Sequence, residues 1–125
     1  MIKAKQYGLN FILINMEGTI IPSISCDSNS NGSINYGMAS FIRAGGVRTT
    51  LFVLDQFDLN ETYLNYDIRG GEEEVVWIST QNVPQAVFNE GGTETPIPLQ
   101  DFIDIMNEWI VFLESIKGVH FLSND

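Results

Sequence analysis

Cysteine and histidine are almost absent from this chain: its 125 residues contain one of each, Cys26 and His120. A single cysteine excludes an intramolecular disulfide, so the fold must be held by its core. With four methionines it predicts a reducing compartment, the cytoplasm. Basic residues are scarce as well, six Lys and Arg against sixteen Asp and Glu, for a net charge of −10. Long apolar runs are missing: no stretch approaches the roughly 18 residues needed to span a bilayer. The run Phe11 to Ile14 behind Lys3 and Lys5 is too short for the apolar region of a signal peptide. These absences predict a soluble protein that is not exported by the usual route. No P-loop, Rossmann glycine pattern, zinc spacing or basic aromatic patch occurs, and no cofactor is predicted.

What is present is acid, unevenly spread. Residues 1–50 carry Lys3, Lys5, Arg43 and Arg48 against Glu17 and Asp27, a balance of +2, whereas residues 51–125 carry Arg69 and Lys117 against fourteen acids, a balance of −12. A field of that sign repels nucleic acid and anionic membranes and steers basic partners toward the protein.

The length suits one domain, residues 1–125, able to bury about two-thirds of its unfolded surface. Leu9 to Asn15, rich in Phe, Ile and Leu, predicts a buried strand. Residues 27–35, DSNSNGSIN, predict a polar loop. Tyr36 to Ala44 predicts a short helix with Met38, Phe41 and Ile42 on one face and Gly45–Gly46 closing it. From Val47 the reading changes to strands: Val47–Leu54, Tyr63–Ile68, Glu74–Ser79 after a turn at Arg69 to Glu72, and Gln85–Phe88 before a turn at Asn89 to Thr93.

The C-terminal helix carries the strongest pattern, with Leu99, Phe102, Ile103, Met106, Ile110 and Leu113 in one arc. Pro96 and Pro98 mark its entrance, Lys117 suits its last turn and Gly118 its end. Asp101, Asp104, Glu108 and Ser115 form a wet stripe, and the flanking Ile105, Val111 and Phe112 call for a cover, either a loop or sheet edge or a partner. The expected fold is α+β: a mostly antiparallel sheet packed against this amphipathic helix and a shorter helix in the N-terminal half. Trp77 and Trp109 fall on apolar faces and are expected in the core.

Three resemblances bear on function. Residues 11–20, FILINMEGTI, resemble the first motif of the haloacid dehalogenase superfamily, a strand running into Asp-x-Asp-Gly-Thr. Asn15 and Glu17 occupy the two aspartate positions, and an amide forms no acyl-phosphate. Asp27 to Asn35 is similar to the calcium loops of EF-hands and dockerins, but Met38 stands where those loops place a bidentate carboxylate. Nucleophilic catalysis has little to draw on, since His120 and Cys26 are far apart in sequence.

The whole chain, and most of all Thr93 to Ser115, resembles in type the small acidic immunity proteins of bacterial toxin systems, including contact-dependent growth inhibition. That resemblance implies a non-enzymatic, cytoplasmic protein that binds a basic toxin domain, for instance a nuclease, and occludes its active site with carboxylates. The acids available are Asp55, Asp58, Glu61, Glu72, Glu73, Glu74, Asp101, Asp104 and Glu108, with Tyr63 as an aromatic contact. The alternative reading is a phage or mobile-element accessory protein, either an inhibitor or a structural subunit. No catalytic residue, resident metal, nucleic acid or membrane partner is expected, and the oligomeric state is left open.

Overall fold

The computed structural model of the chain describes residues 2–27, 32–55, 65–69, 75–79, 84–90 and 93–116. Within them lie four helices and two small antiparallel sheets, an α+β architecture with the C-terminal helix packed on the sheets. Among the described residues, no helix is long and apolar enough to cross a membrane.

The chain begins with a short helix, α1 (Ile2–Gln6), which ends where Gly8 takes a positive φ of 73°. β1 (Leu9–Met16) and β2 (Thr19–Cys26) then form a two-stranded hairpin, paired from Leu9↔Cys26 to Met16↔Thr19. Its turn consists of Glu17 (φ 54°) and Gly18 (φ 88°), and positive φ at both central residues matches the right-handed twist of the strands. The Asn15 side-chain oxygen accepts the Gly18 N–H at 2.9 Å and closes the turn. β2 is an addition to the sequence reading, in which Gly18 and Pro22 only limit a helix; among the described residues the ribbon has two strands, so Pro22 lies on an edge strand.

α2 (Gly32–Arg43) is longer than the predicted helix at its start and buries Met38, Ala39, Phe41 and Ile42, the expected face. The next element differs in kind: Val47 to Asp55 is a helix, α3, not a strand. Val53 and Thr50 are buried, Val47 and Leu54 pack partly against the core, and Leu51 and Phe52 face outward. The spacing 47, 50, 53, 54 is helical, and tertiary packing overrides the strand preference of the β-branched residues.

β3 (Asn65–Arg69), β4 (Val75–Ser79), β5 (Gln85–Glu90) and β6 (Thr93–Pro98) make a meander in sequence order. β6 also went unpredicted. Its prolines, Pro96 and Pro98, are exposed and sit on an edge strand, where a missing N–H is tolerated, while Ile97 between them is buried. α4 (Leu99–Ser115) follows directly, entered through Pro98. Lys117 and Gly118 lie outside the described residues.

One core joins these parts. Leu9, Ile24, Met38, Phe41, Val53, Ala86, Phe88, Ile97 and the inner face of α4 belong to a single buried cluster. Phe102, fully buried, meets Phe88 edge-on at 5.2 Å and Phe41 at 5.7 Å. The helix flank that called for a cover has one: Ile105 is fully buried, and Phe112 is stacked on Trp109 with Phe11 of β1 against both rings. Val111 remains 58% exposed.

Candidate functional site

Asp101, Asp104 and Glu108 do share one stripe of α4, as their spacing requires, but α1 lies across two of them. Glu108 accepts the backbone N–H of Lys3 at 2.8 Å through Oε2 and that of Ala4 at 2.9 Å through Oε1. It thereby satisfies donors that begin a helix and have no partner within it. Asp101 accepts the Tyr7 hydroxyl at 2.5 Å through Oδ2, and its Oδ1 lies 3.4 Å from the Lys3 ammonium. Both carboxylates thus hold the chain's own first helix in place. Burial, and then the bond to Asp101, push the Tyr7 hydroxyl well above its ordinary value, so it stays a donor at any physiological pH.

Asp104 takes a 2.9 Å bond from the exposed Gln100 amide and remains at the surface edge. Asp55 ends α3 and is exposed. Of the other acids singled out in sequence, Asp58, Glu61, Glu72, Glu73 and Glu74 lie outside the described residues, as does Tyr63. Trp109 is a core residue, 1% exposed, with its indole N–H bonded to the Gly45 carbonyl. The backbone of Trp77 lies in β4.

Within the calcium-loop-like residues 27–38 the structure describes Asp27 and residues 32–38: from Gly32 onward the backbone is helical, and Met38, at the position of the bidentate carboxylate, is fully buried in the core. Among the described residues no group of three or more His, Cys, Asp or Glu side chains is placed to hold a metal. At the dehalogenase-like motif, Asn15 and Glu17 form the tip of an antiparallel hairpin, with the Asn15 amide oxygen engaged in the turn.

That tip is the feature sequence reasoning missed. The strand predicted as buried is buried only at its start: Leu9 is 1% exposed, and burial falls away until the last four residues, Leu13 to Met16, are all exposed. Leu13, Ile14 and Met16 present 49%, 38% and 54% of their surfaces to solvent. The hairpin is anchored by Phe11 on Trp109 and Phe112; its first strand shows apolar side chains to solvent from Leu13 to Met16, while the second strand opposite is buried from Ile21 to Ile24. Among the described residues both of its strands belong to a two-stranded sheet with no further strand on either edge. The available signal was the Glu17-Gly18 pair followed by a second β-rich run, Thr19 to Ile21.

Comparisons with protein-family models, curated proteins and solved structures returned no match.

Proposed function

We propose that this chain is a non-enzymatic protein-binding domain that presents the β1–β2 hairpin tip to a basic partner. In its most specific form the partner is the toxin domain of a bacterial toxin–immunity pair, whose active site the complex occludes. The exposure of Leu13, Ile14 and Met16 on the outer strand of the hairpin is the observation that carries the reading. Apolar side chains exposed on a strand whose hairpin partner is buried are anchors for a partner surface, and aliphatic anchors surrounded by polar residues exclude water on contact.

The acidic surplus supplies the second half of the argument. Fourteen acids in residues 51–125 create a field that accelerates encounter with a cationic surface. Since Asp101 and Glu108 are engaged with α1, the partner-facing role passes to Asp55, Asp104, Glu17 and the acids between residues 58 and 74.

The test is coexpression with the protein encoded immediately upstream of this gene. The reading predicts that the upstream product arrests growth alone, that this chain relieves the arrest, and that the two form a stoichiometric complex weakened by salt. Undiminished arrest with no complex rejects it.

A further inference from the structure

A second feature lies between β2 and α2, away from the hairpin tip. Ile24, Ser25 and Cys26 of β2 face Tyr36, Ala39, Ser40 and Arg43 of α2 across a cleft of about 230 Å³. The four helix residues are spaced i, i+3, i+4 and i+7, one continuous stripe beside the core-facing stripe. Ile24 and Ala39 are buried and form an apolar floor, while the Tyr36 ring, 59% exposed, and the Arg43 guanidinium stand at the rim. Ser25, Ser40 and the Cys26 thiol supply the polar atoms of the wall.

Arg43 is unusual in its setting. Acids outnumber bases sixteen to six in the chain, yet among the described residues no carboxylate pairs with Arg43. Asp27, which follows Cys26 and whose charge adds to the rise that burial gives that thiol's pKa, is not part of the cleft lining and takes a 2.8 Å bond from the Asn10 amide. A planar guanidinium above an apolar floor, with hydroxyls on the walls and an aromatic ring two helical turns away, is complementary to a flat molecule with one carboxylate.

We propose that the cleft binds a small aromatic monocarboxylate, its carboxylate on Arg43 and its ring between Tyr36 and the Ile24–Ala39 floor. Burial pushes the Cys26 thiol up, so at neutral pH it is uncharged and does not repel the anion.

Cys26 is the only thiol in the chain and lines the cleft, so it reports occupancy directly. The rate of its alkylation by iodoacetamide is measured in the full-length protein against increasing sodium benzoate, with sodium chloride at equal ionic strength and neutral benzamide as controls. Saturable slowing by benzoate, absent with chloride and much weaker with benzamide, is expected. Arg43→Gln, at an exposed position, removes a charge-assisted bidentate contact and is expected to raise the half-protecting benzoate concentration about tenfold or more. The backbone amide shifts of Ser40 and Cys26 give a second readout that does not depend on thiol reactivity, and they are expected to move in parallel with benzoate. Equal protection by benzamide, undiminished protection in Arg43→Gln, or shifts that fail to saturate would each overturn the proposal.

Discussion

The indole N–H of Trp109 donates to the carbonyl oxygen of Gly45 at 2.9 Å, tying the middle of α4 to the three-residue connection between α2 and α3. The bond is buried at both ends. Gly45 matters there for a second reason: a Cβ at this position would lie 2.9 Å from Thr49 Cγ2, so Thr49 would have to shift to admit it. Trp109→Phe keeps an aromatic ring against Phe11 and Phe112 but leaves the Gly45 carbonyl without its donor. A loss of about 1–3 kcal/mol is expected in urea unfolding, the cost of an unsatisfied buried acceptor. Gly45→Ala is expected to be destabilising as well, through the displacement of Thr49.

Glu108 predicts a local effect. Glu108→Ala removes the acceptor of two backbone N–H groups, and hydrogen bonds to charged groups are worth about 1.5–3 kcal/mol each. Amide hydrogen exchange at Lys3 and Ala4 is expected to rise sharply, while amides in the centre of α4 keep their protection. The Lys3–Asp101 pair is partly exposed, and Lys3→Met is expected to change stability by no more than about 1 kcal/mol.

Tyr7 predicts a pH dependence whose sign follows from its raised value. Below pH 10.0, its ordinary value, the hydroxyl is protonated in both folded and unfolded chains, and its bond to Asp101 is fully present. Above that pH the unfolded chain releases the proton while the folded chain retains it, so stability is lost as pH rises. Tyr7→Phe is expected to be less stable at neutral pH yet to show a flatter decline between pH 10 and 11, measured by urea midpoints across the alkaline range.

At the hairpin turn, Glu17 and Gly18 both have positive φ, which glycine adopts freely and glutamate does not. Gly18→Ala is expected to cost about 1 kcal/mol through backbone strain alone, since nothing lies within 4 Å of the added methyl. Glu17→Asn is expected to stabilise by about 0.5 kcal/mol, because asparagine tolerates this conformation better. Thermal unfolding of the two variants measures both.

The parts of this fold legible in sequence were those with one dominant period. The stripe from Leu99 to Leu113 is long enough to be unambiguous, and β3, β4 and β5 fall where alternation placed them, within a few residues. β6 was hidden by Pro96 and Pro98, which mark a helix entrance and are tolerated in a strand only at an edge, a property of the sheet and not of the strand; β2 was hidden because Gly18 and Pro22 bar a helix there without naming the strand that takes its place. α3 was hidden by Leu51 and Phe52, exposed apolar residues that obscure the helical spacing of Val47, Thr50 and Val53. α1 is five residues long and rests on contacts about a hundred positions away. For that reason the roles of Asp101 and Glu108 were not readable from a helical wheel: spacing showed that they share a stripe, and only the path of the N-terminal segment shows what occupies it. The exposed Leu13 and Ile14 read as core because an apolar run gives no sign of which strand of a hairpin faces solvent.

The central claim concerns Leu13, Ile14 and Met16, and stopped-flow kinetics with the cognate partner test it most directly. Leu13→Thr, Ile14→Thr and Met16→Thr are combined in one variant, which preserves strand-compatible residues and removes apolar surface outside the buried core cluster. Association that slows with salt in both proteins, with dissociation accelerated about a hundredfold or more in the variant, is the predicted result. An unchanged dissociation rate in a variant that folds as well as the parent would contradict the assignment of the hairpin tip as the binding surface.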